Sequence, residues 1–321
     1  MKPIRTTVHR AWGTRFFLVA FLSFACPRPA VALEEVIVSY AGPTVTFLPA
    51  EVARQRGFLR EQNLDIKLLL TRSEVDRAAL VSGSVDYTLR AGSSFVSAAR
   101  GLPVRIVFLG TMKPFWGLVV RPEVRSVGEL KGKSIGVPGL LGSQQVSAKF
   151  IFKHYGLDPD KDVVYRVVDT GSRIAAVLSG SIDSSMMDYG EAFRAKKAGL
   201  KMLVNAAELH GLLAGGLAVN IKKLKEQPDQ VRRMLKAMTQ ALKYMQDNPD
   251  GTQQVMMSWL KLDREMAAEI YQMARNNYTK DGMVEESMLN SLVTTMLAEA
   301  GIKGVTPSQL TDFSLLHQAM K

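Results

Sequence analysis

Two stretches of nine residues, "ALVSGSVDY" from Ala79 and "AVLSGSIDS" from Ala176, stand 97 residues apart and are nearly identical. Flanking landmarks recur in the same order, offset by 97 to 99 residues. "VIVSY" (36–40) is answered by "KSIGVP" (133–138), each a short β-branched run that predicts a buried strand. The helical segments 48–59 and 145–157 each close on a glycine followed by an apolar residue, Gly57-Phe58 and Gly156-Leu157. Glycine there suits a left-handed helix cap. Second strands follow at 64–70 and 162–168, and "AARGLPVRIVF" (98–108) is echoed by "KKAGLKMLV" (196–204). Each copy therefore reads strand–helix–strand–helix–strand–helix–strand. That alternation predicts an α/β protein of two similar lobes, each a parallel sheet covered by helices.

Beyond the second copy, "GGLAVN" (215–220) predicts one more strand, and the pattern then turns helical. Val231, Met234, Leu235, Met238, Leu242 and Met245 keep helical spacing after Pro228, and Asn248-Pro249-Asp250-Gly251 predicts a stop. Further helices are predicted over 252–261, 263–277, 284–300 and 307–319. Met256, Met257, Met266, Met273, Met283, Met288 and Met296 fall among their apolar positions and read as core filling.

The first 32 residues read as a secretory leader: a basic start without acids, the apolar run "FFLVAFLSFA" (16–25), and the small-x-small pattern Ala30-Val31-Ala32. Cleavage after Ala32 is the expectation, with a periplasmic destination. Lipid anchoring at Cys26 is disfavoured, because Phe24 is bulky and Leu22 is one place early for a lipobox. Cys26 is the only cysteine, so the mature chain has no thiol for catalysis or metal binding. The leader holds five of the 41 basic residues, which leaves an excess of +6 over 30 acids, scattered rather than striped. Nucleic-acid binding is not indicated.

Catalytic and metal motifs fail on spacing. Gly132-Lys133-Ser134 lacks a glycine at the distance a phosphate loop needs and enters a strand. His154, His210 and His317 form no metal-like pair. A cleft at the carboxyl ends of the strands remains. The ends to watch are 40–47, 71–73 and 90–94 in the first lobe, and 139–144, 169–172 and 188–191 in the second. Ser93, Ser94, Gly142, Ser143 and Gln144 precede helices, where free amides favour an anion or where the serines simply cap. Arg90 follows an apolar strand at the mouth. It pairs either with a ligand carboxylate or sulfonate, or with Asp86 or Asp188. Trp116 and His210 lie near the two crossings between lobes, and Trp116 either stacks on a flat ligand or packs the hinge. Tyr40, Phe47, Trp116 and Tyr189 are candidate apolar walls. The combination favours a small organic anion with a flat or apolar body over a bare inorganic ion.

The segments "EVARQRGFL", "ALVSGSVDY", "ARGLPVRIV", "SVGELKGKSIGV", "HYGLDPDKDV" and "AVLSGSID", with the leader, resemble the periplasmic substrate-binding proteins of ABC transporters, in the branch for nitrate, alkanesulfonates, taurine and thiamine-pyrimidine precursors. The resemblance implies a type II two-lobed fold with two crossover strands, divided as 33–113, 114–212 and 213–321, the last part returning to the first lobe. It implies a monomer that closes on a small molecule and docks on permease subunits, without cofactor or metal. It places ligand contacts at Tyr40–Phe47 (Thr44 included), Arg90–Ser94, Gly142–Gln144, Asp188 and Tyr189, with Trp116 and His210 at the crossovers. Rival readings are an enzyme on the same fold, of the pyrimidine-precursor or menaquinone-pathway type, and a ligand-sensing subunit.

Overall fold

The computed structural model describes residues 1, 3, 32–140 and 142–321, so Cys26 and nearly all of the expected leader lie outside the described residues. Residues 33–321 form one compact unit.

Ten strands build two sheets: β1 (Glu34–Tyr40), β2 (Leu64–Leu70), β3 (Tyr87–Thr88), β4 (Val104–Leu109), β5 (Trp116–Val120), β6 (Lys133–Val137), β7 (Val163–Val167), β8 (Ser184–Asp188), β9 (Lys201–Asn205) and β10 (Gly216–Asn220). The first lobe has the order β2-β1-β3-β10-β4 and the second β7-β6-β8-β5-β9. These are the same arrangement twice, as the repeat predicts. Each sheet is mixed rather than parallel throughout, which corrects the sequence expectation. β10 runs antiparallel to β3 and β4, and β5 antiparallel to β8 and β9. The odd strand in each sheet is the one that arrives from the other lobe, so it enters in the opposite sense.

The repeated words now have a physical meaning. Gly83 and Gly180 sit at φ +80° and +77° and turn the chain out of a helix. Around them Ser82 meets Ser84 (2.9 Å), and Ser179 meets Ser181 (2.8 Å). The following aspartate then clasps the neighbouring strand. Asp86 Oδ2 accepts from the Ile37 amide (2.8 Å), and Asp183 Oδ2 from the Ser134 amide (2.9 Å). Each motif is a staple that sets the register of the strand it opens.

The helix Pro228–Asp247 buries Val231, Met234, Leu235, Met238, Leu242 and Met245, as their spacing predicts, against the helices Leu48–Gln55 and Ser314–Ala319. The C-terminal layer thus covers the first lobe. Met256, Met266 and Met296 are core residues, and Met257, Met273 and Met283 pack at its margin, whereas Met288 stands exposed. Only Asn248 interrupts the helices at the predicted stop, because Pro249 opens the helix Pro249–Leu260. The last predicted helix divides into a 3-10 turn, Pro307–Gln309, and the helix Ser314–Ala319.

Segments 110–115 and 206–215 join the lobes. Thr111 ties them together: its Oγ1 accepts from the amides of Ala214 (3.1 Å) and Gly215 (2.9 Å). Lys197 reaches Asp263 (2.6 Å) from the second lobe to the C-terminal layer, and Lys153 reaches Glu299.

Candidate functional site

A cleft of about 1010 Å³ lies between the lobes, at the carboxyl ends of the strands. Arg90 stands on its first-lobe wall, directly before the helix Ala91–Ala99. The guanidinium is held by three neighbours: it donates from Nη1 to Ser73 Oγ (3.2 Å) and from Nη2 to the Thr71 carbonyl, and its Nε lies 4.0 Å from Asp76 Oδ1. Burial pulls its pKa below the ordinary guanidinium value, and the Asp76 charge opposes that pull. Neither Asp86 nor Asp188 is its partner, contrary to the sequence alternatives. Asp86 pairs with Lys223 (2.7 Å), and Asp188 caps the helix Tyr189–Lys197. Oδ1 of the buried Asp76 itself accepts from three hydroxyls, those of Ser39 (2.5 Å), Thr88 (2.9 Å) and Thr71 (3.4 Å).

Facing this wall, the N-cap of the helix Ser143–His154 is Gly142, which has no side chain with which to cap. Ser143 and Gln144 line the cleft beside it. Gln144 is oriented from behind by Arg173, whose Nη1 donates to Gln144 Oε1 (2.7 Å) and to the Met186 carbonyl (2.6 Å). Arg173 also donates to Thr170 Oγ1 (3.2 Å) and pairs with Glu191. Both members of that pair are 1% exposed. Burial pushes the Glu191 carboxyl up, nearby Asp188 adds to this, and Arg173 opposes it.

Thr44, Phe47, Arg90, Ser93, Trp116, Gly142, Ser143, Gln144 and Asp188 line one cleft. Tyr40, Ser94, Tyr189 and His210 do not. Tyr40 shares the strand face of Val36 and Val38, so it packs among the C-terminal helices, stacked on Trp259 with ring centroids 6.5 Å apart. Ser94 donates to the Arg90 carbonyl (2.9 Å) inside its own helix. Tyr189 is fully buried, with its hydroxyl on Asn205 (2.9 Å). His210 stacks on Phe150 and meets Ser147 Oγ (2.8 Å), and burial lowers its pKa. Arg173 and Asp76 escaped the sequence reading. Their one available signal is that they stand 97 residues apart, the spacing of the repeat itself.

Among the described residues, no group of three or more His, Cys, Asp or Glu side chains is placed to hold a metal ion, and no helix is long and apolar enough to cross a membrane.

The family profile described as NMT1/THI5 like matches residues 44–252, which spans both walls of the cleft. The chain belongs to the NMT1/THI5-like family. Within it, the chain is 30% identical over 227 residues to the 4-amino-5-hydroxymethyl-2-methylpyrimidine phosphate synthase THI13 of Saccharomyces cerevisiae, covering 64% of this chain and 65% of that protein. It is 24% identical to the riboflavin-binding protein RibY of Chloroflexus aurantiacus, over 70% of this chain and 65% of the relative. The chain thus spans just under two thirds of the length of these relatives. Solved structures carry the same fold. A ligand-binding component of an ABC-type import system from Staphylococcus aureus superimposes with a TM-score of 0.76 at 14% identity, over 89% of this chain and 99% of the other. The periplasmic aliphatic sulphonate binding protein SsuA of Escherichia coli gives 0.67 at 16% identity, over 87% and 92%. The type II two-lobed architecture expected from the sequence is the architecture of this family member.

Proposed function

We propose that this NMT1/THI5-like protein is an extracytoplasmic solute-binding protein that closes its lobes on a small organic anion and presents it to an ABC importer. The observation that carries the reading is the pair of facing walls. A restrained arginine on one lobe stands opposite a glycine-capped helix start on the other, across a cleft joined by two crossovers. Fixed donors on both lobes hold an anion best when the lobes meet, so ligand binding and closure are one event. The basic, apolar leader of residues 1–32 supports export, and the import-system neighbours support a permease partner.

Small-angle scattering tests closure. The radius of gyration is expected to fall when the best aromatic carboxylate or sulfonate from a screen is added. Gly92→Val is expected to abolish that fall. A Cβ at Gly92 meets the Leu213 carbonyl at 2.6 Å and Ser143 Oγ of the facing lobe at 2.6 Å, so the larger side chain wedges the lobes apart. Tight binding without compaction counts against the reading.

The likeness to the yeast synthase favours a second reading, an enzyme on this fold. The chain's single cysteine, Cys26, precedes the unit formed by residues 33–321, and among the described residues the cleft lining contains no histidine. Mass spectrometry of the ligand after prolonged incubation separates the two readings: a binding protein returns it unchanged.

A further inference from the structure

The first crossing between the lobes is gripped from a third direction. After the helix Arg264–Ala274 and the 3-10 turn Arg275–Asn277, the chain runs back along this crossover, with Tyr278 opposite Thr111 in an antiparallel bridge. The rungs follow one another. The Leu109 amide donates to the Gly282 carbonyl (2.8 Å) and the Thr279 amide to the Gly110 carbonyl (3.2 Å). The amides of Met112 (2.8 Å) and Lys113 (3.3 Å) both donate to the Asn277 carbonyl. The buried Asn277 side chain carries the grip one peptide further, donating from Nδ2 to the Pro114 carbonyl (2.9 Å).

The next peptide belongs to the other lobe. The Phe115 carbonyl accepts from the Tyr189 amide (2.9 Å), and Tyr189 opens its helix directly after the cleft residue Asp188. Between a peptide fixed to the first lobe and one fixed to the second lie only the φ and ψ of Phe115. The Phe115 ring spans the same boundary, with its centroid 4.7 Å from that of Tyr278 and 6.2 Å from that of Tyr189. Tyr278 is tied to the first lobe by its hydroxyl on the Val45 carbonyl (2.7 Å), and Tyr189 to the second by its hydroxyl on Asn205 (2.9 Å). All three rings are buried. The return crossing narrows in the same way. His210 is held to the second lobe by Ser147 (2.8 Å), and the Leu212 amide to the gripped crossover by the Met112 carbonyl (3.1 Å), which leaves Gly211 between them.

On the lobe-closing reading above, we infer that the lobes turn at Phe115 and Gly211, and that Asn277 is the positioning residue that confines the turn to them and so sets how the wall of Gln144 and Asp188 meets that of Arg90. Hinges are a few residues that absorb a change in φ and ψ while their neighbours hold still. Asn277 does this from outside the cleft lining.

Double electron–electron resonance on the unliganded full chain tests the assignment, in a Cys26→Ser background so that each lobe carries one spin label. Val75→Cys and Arg166→Cys place the labels at exposed sites. Each site is three residues from Arg72 or Asp169, which meet at 3.9 Å across the mouth. Asn277→Ala leaves the Pro114 carbonyl without its donor and is expected to broaden the distance distribution toward longer values. Phe115→Leu keeps the backbone bonds, loses the ring contacts, and is expected to broaden it too; this variant decides alone if Asn277→Ala does not fold. Leu130→Ala, in the separate core of the second lobe, controls for mere loss of stability. It is expected to lower the melting temperature with the distribution unchanged. Hinge variants whose distributions match the parent's, or a Leu130→Ala distribution that broadens as much as theirs, overturn the assignment. No ligand enters the measurement, so either result leaves the closure reading to its own scattering test.

Discussion

Arg90→Ala is expected to weaken binding of an aromatic carboxylate by about 2–5 kcal/mol, the cost of removing one partner of a desolvated charge pair. The effect is large because the guanidinium is already restrained by Ser73, Thr71 and Asp76, so little side-chain freedom is lost on binding. The fold is expected to survive, since Asp76 keeps its three hydroxyl donors from Ser39, Thr88 and Thr71. Arg90→Lys keeps the charge and loses the fork, and is expected to fall between the two. Calorimetry of the three proteins measures this. Equal affinity in wild type and Arg90→Ala would assign the arginine to its pair with Asp76 alone and remove the main reason to expect an anion.

The largest stability effect is expected at Arg173. Replacing it with alanine removes the one guanidinium that serves buried Glu191, the Met186 carbonyl and, at the cleft wall, Gln144 Oε1, and leaves Glu191 only the Asp188 amide (3.4 Å). Breaking a buried pair in this way costs about 3–5 kcal/mol. The loss should depend on pH, with a definite sign. The Glu191 carboxyl is pushed above its ordinary value of 4.5 by burial, and loss of Arg173 pushes it further. A carboxyl raised in the folded state gives its full contribution below the ordinary value and loses it as pH rises through the folded one. The deficit of Arg173→Ala is therefore expected to be flat from acid up to about pH 8 and to widen as pH rises through that value. Urea denaturation across that range reads it. The double variant Arg173→Met, Glu191→Leu is expected to recover most of the loss, because no charge is then left buried alone. A deficit that is flat with pH, or one the double variant does not relieve, would contradict this account of the pair.

Much of the architecture was legible because its signals are local. The strands are short apolar runs, the staples are short repeated words, and period and punctuation survive in one dimension. Strand direction was not legible. Nothing within "WGLVV" or "GLAVN" says that each enters a sheet from the opposite lobe. The cleft was half legible for a related reason. Arg90, Gln144 and Asp188 follow from strand ends alone. Tyr40 could not be excluded without knowing that the C-terminal helices cover its face of β1, more than 200 residues away in the case of Trp259. Arg173 was missed because its partners are a side-chain amide at a helix start, a strand carbonyl and a glutamate 18 residues on, with no periodicity to join them.

The crossed strands also fix an order of assembly. Every strand of the second lobe, β5 to β9, lies in one continuous stretch from Trp116 to Asn205. The first lobe cannot close its sheet until β10 arrives to fill the gap between β3 and β4, and its apolar face stays bare until the helices after Pro228 cover it. The half of the molecule that leaves the ribosome first is therefore the half that finishes last. Pulse-labelling hydrogen exchange during refolding is expected to show amides of β6 and β8 protected before those of β1 and β3; the reverse order would refute it. Until then β3 and β4 present open strand edges on either side of a vacancy one strand wide. Under the export proposed above, the chain would carry that opening across a membrane, and only its own C-terminal third could close it.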